Sequence, residues 1–135
     1  MAGYSGKPLV EKLGFEPGDR VVLLGAPAAY PDALGTLPAG VVISRRTGPA
    51  DLALLFSRDA RDLAKRFAPL AEKLRPGGML WVAWPKKASG VPTDLSEDVV
   101  RRIGLAAGLV DVKVCAIDET WSGLKFLRRR ASIAT

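Results

Sequence analysis

The stretch DLALLFSRDARDLAKRFAPLAEKLRPGGMLWVAW, from Asp51 to Trp84, reads as a strand, a helix and a second strand. After its first residue, Asp51 to Phe56 is free of polar side chains, as in a central parallel strand covered on both faces. Ser57 then stands where a helix cap is expected. From Arg58 to Arg75 the apolar residues Leu63, Phe67, Leu70 and Leu74 recur at spacings of 4, 3 and 4, which puts them on one helical stripe. Pro69 is expected to kink or divide that helix, because it lacks an amide donor and its ring crowds the preceding turn. Arg75-Pro76-Gly77-Gly78 reads as the stop at the carboxyl end, and Met79 to Trp84 as the next strand. This order calls for a right-handed crossover and a mostly parallel sheet with helices on both faces.

Working outward, Glu16-Pro17-Gly18-Asp19 is a turn signal and Arg20 to Gly25 a short apolar strand. Residues 1–19 form an N-terminal arm in which Pro8 to Leu13 can make a short helix, with Leu9, Val10 and Leu13 on one face. Ala28 to Leu34 can form one or two helical turns, and Val41 to Ser44 a short strand. Downstream, Pro85 to Pro92 has no period. Asp94 followed by Glu97 fits a capping box, with Leu95, Val99, Ile103 and Ala106 as the buried stripe of a helix that Gly108 ends. Val110, Val112, Val114 and Ala116 alternate with Asp111, Lys113 and Cys115, the pattern of a strand exposed on one face. Leu124 to Arg128 supply a last strand, most economically antiparallel. The expectation is a single α/β domain over residues 1–135, with about six strands, five broadly parallel and the last reversed.

Composition removes several function classes. A chain of 135 residues can bury a core without staples. It has no His, which excludes imidazole bases, His-containing zinc sites and nucleophile pairs that need a His. The single Cys115 cannot form an intramolecular disulfide, and no activating neighbour is evident, so it reads as an inert thiol. No apolar run is long enough to span a membrane and no secretory leader is visible, so no membrane association is expected and a reducing cytoplasm is the default location. The net charge of +6 makes weak, salt-sensitive adsorption to polyanions expected, but no nucleic-acid recognition module is present. No metal site is expected, and the oligomeric state is not legible.

In sheets of this kind ligands sit beyond the carboxyl ends of the strands, near the point where strand order reverses. Those ends are Gly25 to Pro27, Arg45 and Arg46, Ser57 and Arg58, Trp84 to Lys87, and Asp118 to Trp121. The candidate crevice is therefore lined by Gly25, Ala26, Pro27, Trp84, Lys86, Lys87, Ser89 and Trp121. Two ammonium groups at Lys86 and Lys87 favour an anionic small molecule such as a phosphate, carboxylate or sulfate, and Arg45 and Arg46 add the same sign of potential. Trp84 and Trp121 could wall a planar ligand. Asp94 and Glu97 are the carboxylates beside the basic loop, although capping explains them more cheaply than catalysis. Tyr4, Ser5 and Lys7 could cover the crevice. Ser122 and Lys125 match a Ser-x-x-Lys spacing, but an odd offset in a strand sends them to opposite faces.

Three segments together resemble class I S-adenosylmethionine-dependent methyltransferases: Phe15 to Gly25 their first motif, Asp51 to Phe56 their central strand, and Leu74 to Val82 their Pro-Gly-Gly and following strand. The likeness covers most of the chain, which as a whole is similar to an uncharacterised bacterial family of small proteins resembling truncated methyltransferases. The resemblance implies a Rossmann-like, methyltransferase-like domain and S-adenosylmethionine as the cofactor. The cofactor motif departs from the pattern, however. Of the glycine-rich loop only Gly25 remains, followed by Ala26, Pro27, Ala28, Ala29 and Tyr30. The second strand ends in Arg45 and Arg46 where the family places an acidic residue for the ribose, and a strand and helix are missing before Asp51. The leading expectation is a ligand-binding domain without ordinary methyl transfer, with no assigned catalytic residue. One alternative is a methyltransferase with a reduced cofactor site and Asp94 or Asp118 as base. Another is a protein or nucleic-acid interaction module using Arg128 to Arg130.

Overall fold

The computed structural model describes residues 8–129. Tyr4, Ser5, Lys7 and Arg130 lie outside the described residues. Six strands, β1 (Arg20–Leu24), β2 (Val42–Ser44), β3 (Ala50–Phe56), β4 (Leu74–Pro85), β5 (Val110–Ala116) and β6 (Trp121–Leu127), form one sheet in the order β2-β1-β3-β4-β6-β5. The pairs β1–β2, β1–β3 and β3–β4 are parallel, while β6 runs antiparallel to both β4 and β5. Only the last strand is reversed, as its place after a short turn requires.

The helices are α1 (Leu9–Leu13), α2 (Ala60–Lys73) and α3 (Glu97–Ala106). One face of the sheet packs against α2 and α3 through Leu63, Phe67, Leu70 and Val100, joined by Leu124 and Phe126 from β6. The other face holds Leu52, Leu54, Phe56 and Trp81 under Val10 and Leu13 of α1, with Tyr30 and Leu34 from the β1–β2 connection. Both faces of β3 are consumed, which is why its sequence shows no alternation. The indole of Trp81, fully buried, donates to the Leu13 carbonyl at 2.8 Å and so ties α1 to the central strands.

Several local expectations are corrected. Asp59, not Ser57, caps α2, accepting from the Arg61 amide; the Ser57 hydroxyl instead donates to Asp62. Pro69 does not divide α2, which runs unbroken from Ala60 to Lys73 with Pro69 on its exposed side. Leu74 is already extended, so Arg75 to Gly78 belong to β4, at the place where its register with β3 shifts. Ser96, not Asp94, caps α3, and Asp94 reaches across to accept from the Ala60 amide at the start of α2. Leu95, just before the helix, is buried in the core with Val99 and Ile103 packed against it, as expected; Val100 and Gly104 are buried as well, and only Ala106 of the expected stripe is exposed. β5 is an edge strand with an irregularity between Asp111 and Lys113, and Val112 and Val114 are 47% and 44% exposed. Periodicity anticipated one apolar buried face there, but no helix covers the edge fully. After β6, Nη1 of Arg128 donates to the carbonyls of Ala71, Glu72 and Leu74 at the carboxyl end of α2.

Candidate ligand site at the strand ends

The chain runs from β1 outward to β2, then returns to the opposite side of β1 as β3, so strand order reverses between β1 and β3. Their carboxyl ends lie side by side at Leu24 and Leu55. Gly25 leaves β1 at φ 68, and a Cβ there would stand 2.4 Å from the Phe56 carbonyl oxygen and 3.1 Å from Nη1 of Arg66. Glycine is required because the neighbouring strand's own backbone fills the space a side chain would need. Beyond it Ala26 packs on the α1-side core, and the Pro27 carbonyl accepts from the Tyr30 amide at 3.0 Å.

That turn delivers Tyr30 into the α1-side core beside the end of β3. The ring is 3% exposed and lies 5.0 Å from the ring of Phe56, which in turn meets Trp121 edge-on at 5.0 Å. The Tyr30 hydroxyl donates to Oδ2 of Asp118 at 2.7 Å, and Nη2 of Arg45 donates to the Tyr30 carbonyl at 3.2 Å. Oδ1 of Asp118 accepts from the amides of Thr120 and Trp121, closing the β5–β6 turn. Three aromatic rings thus span the ends of β1, β3 and β6. Tyr30 and Phe56 were not among the anticipated lining residues. The signal for Tyr30 was present: it is an aromatic residue five positions after Gly25.

The remaining anticipated residues divide. Gly25, Ala26, Pro27 and Trp121 gather around this aromatic row. Trp84 is buried in the core on the α2 and α3 side, whereas Trp121 packs on the α1 side. Pro85, not Trp84, lies opposite Trp121 across the β4–β6 pair, so the two indoles point to opposite faces and share no wall. The Lys86 amide donates to the Thr120 carbonyl at 2.8 Å, which places the basic loop beside the β5–β6 turn. Lys87 is exposed. The Ser89 hydroxyl donates to the Lys86 carbonyl and accepts from the Val91 amide, so it shapes the loop. Asp94 and Asp118, the alternative bases, are both engaged by backbone amides, and Glu97 pairs with Arg101. Among the described residues no group of His, Cys, Asp and Glu could hold a metal ion, and no helix is long and apolar enough to cross a membrane.

No family model and no curated protein matches the chain. Solved structures do. A SAM-dependent methyltransferase from Aquifex aeolicus superposes with TM-score 0.67 at 13% identity, covering 93% of this chain and 90% of that one. A possible exported protein from Bordetella parapertussis gives TM-score 0.64 at 11% identity over 89% of this chain, which spans 64% of that protein's length. Magnesium protoporphyrin IX methyltransferase from Synechocystis, solved with bound SAM, gives TM-score 0.58 at 14% identity, covering 89% and 74%. The fold is that of class I methyltransferases.

Proposed function

We propose that this methyltransferase-like domain binds an anionic small molecule at the carboxyl ends of its strands and does not carry out ordinary methyl transfer. The observation that carries this reading is the placement of Tyr30. Its buried ring, bonded to Asp118 and tilted against Phe56, stands at the carboxyl ends of the strands where their order reverses, and on this reading it takes the space a nucleoside would need. Two further features support it. The Cβ space at Gly25 is taken by the Phe56 carbonyl, and β2 ends in Ser44, Arg45 and Arg46 with no carboxylate for a ribose. These residues do not fit S-adenosylmethionine as a nucleoside cofactor. Lys86 and Lys87 at the end of β4, with Arg45 and Arg46 at the end of β2, supply the positive potential that selects a phosphate, carboxylate or sulfate.

Titration calorimetry with S-adenosylmethionine and S-adenosylhomocysteine tests the negative half. No saturable heat is expected; binding tighter than about 10 μM, roughly −7 kcal/mol, overturns the reading. Native mass spectrometry of the purified protein tests the positive half, with a retained anion that Lys86→Ser and Lys87→Ser together release. The second reading, a methyltransferase with a reduced cofactor site, is favoured by the fold shared with a protein solved with bound SAM. It predicts the calorimetric outcome that sinks the first.

A further inference from the structure

The switch point between β1 and β3 is met from the α2 side by a charged side chain, Arg66. A Cβ at Gly25 would stand 3.1 Å from Nη1 of Arg66, so the guanidinium lies over the glycine at the end of β1. That approach depends on residue 25 having no side chain. On the other edge of the group, Nε of Arg66 is 3.0 Å from Oδ1 of Asp62, one helical turn earlier. Oδ2 of Asp62 accepts from the Ser57 hydroxyl at 2.8 Å, and Ser57 is buried at the end of β3. The series Ser57, Asp62, Arg66 therefore braces the guanidinium from behind. Asp62 is the only ion-pair or hydrogen-bond partner of the Arg66 side chain among the described residues, and that side chain is 41% exposed. A guanidinium carries more donors than one carboxylate uses, so donors remain on the edge over Gly25. The other acids at the start of α2 are committed elsewhere, Asp59 to the Arg61 amide and Asp94 to the Ala60 amide. Arg45 donates to the Tyr30 carbonyl, and the end of β4 is two strand spacings, about 10 Å, from β1.

We propose that Arg66 is the residue that seats the anion, its terminal nitrogens taking two oxygens of a phosphate group in front of Gly25. This rests on the reading of the strand ends as an anion site, and adds the group bound and the side chain that grips it. A planar fork fixes two oxygens at once, whereas the ammonium groups of Lys86 and Lys87 attract an anion without setting its direction. Asp62 already offsets the charge of Arg66, so attraction falls to Lys86, Lys87 and the exposed Arg58 at the end of β3. That attraction grows with the charge of the ligand, which favours a phosphate dianion over a carboxylate.

The amide signals of Gly25 and Ala26 in isotope-labelled protein report on the site. Inorganic phosphate is titrated at about pH 8, where it is mostly dianionic, at fixed ionic strength against sodium acetate and sodium chloride. Saturable shifts with phosphate, and none with acetate over the same range, are expected. Tighter saturation by phenyl phosphate assigns a phosphate ester, and weaker saturation assigns the free anion. Arg66→Gln should weaken phosphate binding about tenfold, and Arg66→Lys about fivefold because charge without the fork is not enough. Asp62→Asn separates two accounts by sign. A site governed by net charge binds phosphate more tightly once an acid is removed, whereas a site in which Asp62 aims Arg66 binds it about threefold more weakly. Both positions are partly exposed on α2, so these variants keep the fold. Unchanged binding in Arg66→Gln, tighter binding in Asp62→Asn, equal saturation by acetate, or no saturable shift at Gly25 overturns the proposal. The underlying reading fails separately: a retained anion that Lys86→Ser/Lys87→Ser releases, with no response of Gly25 to phosphate, removes Arg66 and leaves the anion site standing.

Discussion

Replacing Tyr30 asks whether the crevice is closed by the protein itself. Tyr30→Phe deletes the 2.7 Å hydrogen bond to Asp118 and leaves the ring on Phe56. Bonds to a charged partner contribute about 1.5–3 kcal/mol, but Asp118 is only half-buried and keeps two amide donors, so a cost of about 1–1.5 kcal/mol is expected. Tyr30→Ala removes the ring itself, and truncating a buried aromatic costs about 3–5 kcal/mol. For a domain of this size 1 kcal/mol moves Tm by about 3–5 °C, so thermal unfolding should show losses of about 3–7 °C and about 10–20 °C respectively. A double-mutant cycle of Tyr30→Phe with Asp118→Ala isolates the pair and should give a coupling of about 1 kcal/mol. If the cycle closes to zero, and Tyr30→Ala costs no more than an exposed residue would, the ring does not occupy the crevice and the argument against a nucleoside cofactor loses its support.

Gly104→Ala tests the α3 packing, where helix propensity and sterics oppose each other. Alanine gains about 1 kcal/mol in a helix, but its Cβ would stand 2.0 Å from Cε1 of the fully buried Phe126, so a net loss of about 1–3 kcal/mol is expected in urea unfolding, partly relieved by Phe126→Leu. Arg128→Ala strips the carbonyls of Ala71, Glu72 and Leu74 of their shared Nη1 donor and should cost about 1–3 kcal/mol, a loss that Arg128→Lys should largely recover because a single ammonium nitrogen carries three donors. Cys115 should alkylate with a midpoint above the ordinary thiol range, and Lys113→Gln should move the midpoint higher still. Asp111 is held below its ordinary carboxyl pKa by the hydrogen bond from Arg101. The α3–β5 tie is therefore present above the usual Asp range and is lost as pH falls through the depressed value, which hydrogen exchange at β5 can follow.

The apolar runs of β1, β3 and β4 were legible because these strands are buried on both faces over most of their length, which confines charged residues to their starts, as at Arg20 and Asp51. The helix starts were less so. Ser57 and Asp59, or Asp94 and Ser96, are equally good caps by type. The choice fell to partners remote in sequence: Asp94 is drawn away to the start of α2, and the Thr93 hydroxyl anchors the same loop to the Arg58 carbonyl. For β5, alternation identified a strand but carried no information on its place at the edge, where burial fails for Val112 and Val114.

The site divides along the same line. Gly25 was readable because its conformation is a local property, and the basic ends of β2 and β4 because charge is. The pairing of Trp84 with Trp121 was not, because it depends on the register between β4 and β6, and a shift of one residue there exchanges the faces of the sheet. Tyr30 lies between these cases: its position after the glycine turn is local, but its partner Asp118 comes from 88 residues away. A pattern search that looks after Gly25 only for a glycine-rich loop therefore overlooks the aromatic row that the segment builds. For the proposed reading that row is the stronger support. If Tyr30 stands where a nucleoside would enter, its bonded ring must be displaced first, at the free-energy cost that the Tyr30 substitutions measure.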